Sequence, residues 1–173
     1  MNHKVSQSCD RLLAWVLAED FCGWDLFDGL NSRLFQATSL ARSPLCRLAW
    51  IQFFKTSPVN FRVIAKVPKG LGLFASALLR LGRKSDAEAL LLRLLNLTTK
   101  GYCGTSWGYN FDWQARAFYV PKGKPNVVTT VFVAQAFLDV YERTGCEKWL
   151  RPARDAAAFI VKHLVLEPGP CFG

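Results

Sequence analysis

PKGLGLFASALLRLGRKSDAEALLLRLLNL, residues 68–97, decides the reading of this chain. Leu71, Phe74, Leu78 and Leu81 recur at three- and four-residue spacing, which places them on one stripe of an α-helix beginning near Pro68. Gly82 stands where a helix closes, because glycine enters the left-handed conformation without steric cost. Ser85 with Glu88 three residues later has the pattern of a capping box, and a second helix runs through Leu90-Leu91-Leu92 to Leu97. The segment is a helical hairpin with a tight turn.

Working outward, the same unit recurs. Ala77-Leu78-Leu79-Arg80-Leu81 matches Ala136-Phe137-Leu138-Asp139-Val140. That second helix starts around Pro125-Asn126, carries Val128, Phe132, Ala136 and Val140, and closes at Thr144-Gly145. An amphipathic partner follows from about Glu147 to Leu164, ended by Pro168-Gly169-Pro170. Towards the N-terminus one helix spans about Ser8 to Asp20, with Leu12, Leu13, Val16 and Leu17 on a stripe. Another starts at Ser43-Pro44, a Ser cap with Pro in the first turn, carries Leu48, Ile51 and Phe54, and stops before Ser57-Pro58. No stretch reads as a convincing strand, so the expected class is all-α, with residues 1–173 forming a single helical-hairpin domain. Hairpins joined by alternating short and long connections stack as a ring or solenoid, with the long loops and the function on one rim.

Composition narrows the function. The chain has 173 residues, is 51% hydrophobic and 13% aromatic, and carries a net charge of +9. That is enough apolar surface for a sizeable core. No Asp or Glu lies between Asp28 and Asp86, while ten Lys and Arg do. Such a basic stretch suits an acidic polysaccharide, anionic lipid or nucleic acid, but helix-turn-helix, RNP and zinc-finger patterns are lacking, which argues against nucleic acid. The N-terminal residues lack the apolar core of a signal peptide and no run approaches the ~20 apolar residues of a membrane span. The expectation is a cytoplasmic protein, or one peripheral to the inner face of a membrane. The scattered cysteines read as reduced core residues, and Cys103 as a plain buried thiol with no histidine near it in sequence. No metal or cofactor is expected.

The chemistry concentrates in Trp107-Gly108-Tyr109-Asn110-Phe111-Asp112-Trp113-Gln114, with Arg116 behind it. Aromatics in a loop bury against core or against a flat-faced ligand. A sugar is such a ligand, with CH faces for stacking and hydroxyls for amide, carboxylate and guanidinium groups. Trp24, Trp107, Tyr109, Trp113 and Tyr119 are the stacking candidates. Asp112, between Phe111 and Trp113, has the apolar surroundings that favour a protonated carboxyl, as general-acid work requires; the alternative is that it pairs with Arg116 and pins the loop. Glycoside hydrolysis commonly uses two carboxylates, and Asp28 in the first long loop is the expected partner of Asp112, with Asp25 beside it; Asp28-Gly29 is equally an ordinary turn. Gln114, Arg116, Asn126 and Lys122 are candidates for hydroxyls and acidic substituents; the N–H groups of Lys122-Gly123-Lys124 are suited to an anion, although a solvated basic turn is the commoner reading of such a segment.

Three elements together resemble the six-hairpin glycosidase-like group, the (α/α) toroids: Gly23-Trp24-Asp25-Leu26-Phe27-Asp28-Gly29-Leu30-Asn31-Ser32; the Trp107–Gln114 segment; and Pro125-Asn126-Val127-Val128-Thr129-Thr130 with Tyr141-Glu142-Arg143-Thr144-Gly145. More narrowly, the chain resembles bacterial toroid proteins associated with surface-polysaccharide genes. The resemblance implies a partial toroid of about three hairpins, a truncated half ring or one completed by a second copy or a second chain. It implies a carbohydrate or polysaccharide substrate and a glycosidase-, lyase- or epimerase-like activity, or a glycan-binding scaffold without catalysis. A terpenoid-cyclase-like toroid fits less well, because clustered Asp motifs are missing.

Overall fold

The computed structural model describes residues 3–22, 30, 35, 37–39, 43–56, 67–115 and 117–164. Most of these are helical, as the spacing of apolar residues requires. The helices are α1 (His3–Ala18), α2 (Pro44–Thr56), α3 (Pro68–Arg80), α4 (Lys84–Asn96), α5 (Val127–Thr144) and α6 (Glu147–His163). The expectation of no strand is corrected: β1 (Trp113–Gln114) and β2 (Tyr119–Val120) pair antiparallel, Trp113 opposite Val120 and Gln114 opposite Tyr119. Both strands are two residues long, too short for a period-two pattern to register in the sequence. The chain divides into two compact units, one of Met1–Val67 with Phe111–Val120, the other of Pro68–Asn110 with Pro121–Gly173.

The second unit is built from two hairpins, α3–α4 and α5–α6, with α3 and α5 packed against each other and α4 also touching α5. At the end of α3 the Arg83 N–H donates to Leu78 O at 2.9 Å and the Gly82 N–H to Leu79 O at 3.1 Å. Those two bonds, with Gly82 at φ +78°, form a Schellman closure that satisfies the last carbonyls. The Ser85 capping box is corrected. Helix α4 begins at Lys84, one residue before Ser85, with Arg83 at the cap position and no side-chain cap bond. The Schellman turn fixes that start, and Arg83 Nε donates to Asp86 Oδ2 at 2.6 Å in the first turn. Helix α5 starts as its sequence indicates: Asn126 is the N-cap, its side-chain oxygen accepting from the Thr129 N–H at 2.8 Å.

The core of this unit comes from Leu71, Ala75 and Leu78 of α3, Leu90, Leu91 and Leu94 of α4, Val133, Ala136, Phe137 and Val140 of α5, and Trp149, Ala156 and Phe159 of α6. Of the expected stripe of α5, Ala136 and Val140 are buried and the N-terminal half differs. Val128 and Phe132 are exposed, and Thr129, Thr130 and Val133 are buried in their place. Gly72 allows α3 to come within van der Waals reach of α5: a Cβ there would lie 3.1 Å from Phe132 O and 3.3 Å from Val133 Cα.

In the first unit, Val16, Leu30 and Phe35 are buried. Phe35 stacks on Trp50 with ring centroids 5.1 Å apart, and Trp50 on Phe53 at 5.6 Å. Helix α1 starts five residues before the expected Ser8, and of its predicted stripe Val16 is buried while Leu12 and Leu17 are exposed. Helix α2 keeps its expected bounds, and the Cys46 N–H donates to Ser43 Oγ at 3.4 Å as a Ser cap requires. Among the described residues no helix is long and apolar enough to cross a membrane.

Candidate functional site

In the first unit the hairpin of β1 and β2 gathers the chemistry. Residues 112 and 114 alternate onto one face of the chain, and Tyr119 is the cross-strand neighbour of Gln114. Asp112, Gln114 and Tyr119 therefore share a face, and Arg47 of α2 closes on it. Arg47 Nε donates to Gln114 Oε1 at 2.7 Å, and its guanidinium carbon lies 3.9 Å from the centre of the Tyr119 ring. The Tyr119 hydroxyl donates to the Asp112 carboxylate. Arg47, Asp112 and Gln114 are all buried, whereas Tyr119 remains 37% exposed.

The charges act on Tyr119 in opposite senses. Burial raises its pKa above the ordinary 10.0, the hydrogen bond to Asp112 and the negative charge of that carboxylate raise it further, and the Arg47 charge pulls it down. Tyr119 thus stays a neutral donor at physiological pH. On the other side of the hairpin Trp113 meets Phe118 edge to face at 5.2 Å, and Phe118 is half exposed.

The Gln114 amide is used internally. Besides accepting from Arg47, its Nε2 donates to Ala115 O at 2.7 Å and Phe118 O at 3.2 Å. It ties the turn of the hairpin to α2, and the expectation that it meets a substrate hydroxyl is corrected on that ground.

The remaining candidates among the described residues belong to the second unit. Trp107 is fully buried. Its indole N–H donates to Leu94 O at 2.7 Å, its ring stacks on Phe137 with centroids 5.9 Å apart, and its backbone N–H and C=O both meet the Thr130 hydroxyl at 3.2 Å. With no exposed face it stacks core, not sugar. Tyr109 is half-buried and its carbonyl accepts from the Gly123 N–H at 2.7 Å. The Lys124 N–H donates to Pro121 O at 3.1 Å, so the Gly123 and Lys124 amides close the loop and are not free for an anion. Lys122 is exposed on that turn. Asn126 is the cap of α5, and its backbone N–H also donates to Trp107 O at 3.2 Å. Its amide nitrogen, with Ser106 Oγ, Asn110 Oδ1 and Thr129 Oγ1, is buried without a hydrogen-bond partner.

Asp28, Trp24, Asp25 and Arg116 lie outside the described residues. The sequence reading passed over Arg47, which it counted only in a basic stretch. The signal was present: Arg47 falls on the α2 stripe of Ile51 and Phe54, and a guanidinium on an apolar stripe needs a buried partner. The cysteine reading is corrected too. Cys9, Cys103 and Cys146 are exposed, and Cys22 and Cys46 partly so. Cys103 is not isolated from histidine either, since its backbone N–H donates to His163 Nε2 at 3.3 Å, a neighbour that sixty residues of sequence separation conceal. Among the described residues no three His, Cys, Asp or Glu side chains converge as metal ligands. A surface groove of about 370 Å³ between α3 and α5 is lined by Ser76, Leu79, Arg80, Asp139, Glu142 and Arg143. It contains none of the candidate residues, and its charges balance. No family model, curated protein or solved structure matches the chain, so the functional reading rests on its own residues.

Proposed function

We propose that this is a carbohydrate-related protein of the (α/α) toroid kind, and that the face formed by Asp112, Tyr119 and Arg47 binds sugar, with the partly exposed Tyr119 ring as its apolar plane. One observation carries the reading. A buried carboxylate, a buried guanidinium and a neutral phenol converge where aromatic surface is open to solvent. Sugar recognition needs that combination, an apolar plane for the CH face and fixed polar groups for the hydroxyls. Arg47 and the surplus of positive charge favour an acidic polysaccharide or its precursor over a neutral one. The mutual commitment of these polar groups suits a preorganised binding surface, in which Asp112 orients Tyr119.

A second reading, glycoside processing with Asp112 as general acid or base, is favoured by the burial of that carboxylate beside a hydroxyl donor. The test is calorimetric titration with acidic and neutral oligosaccharides of the parent chain, Tyr119→Ala and Asp112→Asn, alongside product analysis. Binding that weakens about tenfold in Tyr119→Ala, with a cooperative melt retained, supports the sugar surface; that is the loss of roughly 1.4 kcal/mol. Turnover abolished in Asp112→Asn with binding retained supports the second reading. Absence of oligosaccharide binding at millimolar concentration overturns both.

A further inference from the structure

Gln114 is turned inward, yet two features of its amide bear on what the neighbouring face selects. The first is direction. Its Nε2 donates to Ala115 O at 2.7 Å and to Phe118 O at 3.2 Å, so both of its N–H groups are engaged by the turn of the hairpin. That turn is itself closed by the Ala115 N–H on Phe118 O at 2.9 Å. With the nitrogen held there, Oε1 faces away from the turn, and Arg47 Nε meets it at 2.7 Å. The hairpin backbone thus fixes the acceptor, and the acceptor fixes the guanidinium.

Arginine carries its charge on a long, freely rotating arm, and immobilising such an arm opposes binding unless it is done in advance. Held at Nε, the Arg47 guanidinium lies 3.9 Å from the centre of the Tyr119 ring, and the part of Tyr119 that remains exposed lies outside that contact. A sugar stacked on Tyr119 therefore meets a ring backed by a fixed positive charge. The second feature is charge. A buried guanidinium is commonly held by a carboxylate, but here the acceptor for Nε is an amide. Arg47 and Asp112 bring one charge of each sign to the face, and Gln114 leaves that sum at zero. A carboxylate in its place would make the sum negative and set the face against an acidic sugar.

We propose that Gln114 is the positioning and specificity-determining residue of this face: it holds Arg47 against Tyr119 through a neutral acceptor, and so makes the face prefer acidic over neutral sugars. The proposal rests on the sugar-binding reading of the same face and adds to it the source of a charge preference.

Calorimetric titration of the full chain, Gln114→Glu and Arg47→Lys tests it, with an oligogalacturonate and its uncharged methyl ester as the two probes. Circular dichroism melts report whether each variant folds. The readout is the ratio of the two dissociation constants, which a merely structural loss would leave in place because it weakens both probes alike. The parent chain is expected to bind the acid at least about tenfold more tightly than the ester. Gln114→Glu keeps an acceptor for Arg47 and adds one negative charge. Its ratio is expected to fall about tenfold, with the ester bound within about threefold of the parent. Arg47→Lys keeps the charge, but an ammonium lacks the planar fork that Gln114 holds across the ring, so the ratio is expected to fall about threefold or more. If a carboxylate against the Ala115 and Phe118 carbonyls prevents Gln114→Glu from folding, Arg47→Lys decides alone. A parent chain that binds both probes equally overturns the proposal and leaves the sugar reading standing, as does a folded variant that keeps the parental ratio. A parent chain that binds neither probe overturns both.

Discussion

Replacing Trp107 separates its place in the core from a role in stacking ligand, and the structure sets the scale. Trp107→Ala removes a fully buried indole stacked on Phe137. Transfer and cavity terms for a buried Trp→Ala change cost about 3–5 kcal/mol. The lost bond to Leu94 O adds only about 1 kcal/mol. That carbonyl also accepts from the Leu97 N–H at 3.0 Å, so it is not left without a partner. Against a total stability of about 5–15 kcal/mol the change is large. Trp107→Phe keeps the stack on Phe137 and loses the indole donor, for a smaller cost of about 1–2 kcal/mol. Urea unfolding followed by circular dichroism measures both. A cost below about 1 kcal/mol for Trp107→Ala would refute the assignment of this ring to the core, and a selective loss of sugar binding would return it to the ligand surface.

Three further outcomes are expected. Gly108→Ala would drive a Cβ into the Lys124 carbonyl, whose carbon lies 2.6 Å from that position, so it is expected to cost about 3 kcal/mol or more in a melt; a neutral effect would mean that this loop is free to shift. In a double-mutant cycle of Arg47→Met and Gln114→Leu, the 2.7 Å buried bond should appear as a coupling of about 1–3 kcal/mol, and additivity would contradict it. Tyr119 should titrate above 10.0 by ultraviolet absorbance, and Asp112→Asn should lower its midpoint by removing the negative charge that opposes ionisation of the phenol. Because the folded state raises this pKa, the stability linked to it is complete below the unfolded value and lost as pH rises through the folded one. A midpoint unmoved by Asp112→Asn would show that the phenol and the carboxylate do not interact.

Local rules carried the helices a long way from sequence. Pro44 and Pro68 open α2 and α3, Asn126 caps α5, and Gly82 and Gly145 close α3 and α5, because each signal acts within four residues of itself. The hairpin repeat was legible for the same reason. Periodicity fixed the existence of each apolar stripe, while its orientation depended on neighbours that sequence does not supply. Val128 and Phe132 therefore came out exposed, with Thr129 and Thr130 inside. The candidate site divides along the same line. Sequence identified the Trp107–Gln114 segment as dense in chemistry, from composition alone. Only tertiary structure set Trp107 into the core through Leu94 and Thr130, turned Gln114 inward to Arg47, and brought Tyr119 onto Asp112. Arg47 and Gln114 lie sixty-seven residues apart. Burial and partnership at such separations are properties of packing, and no local pattern encodes them.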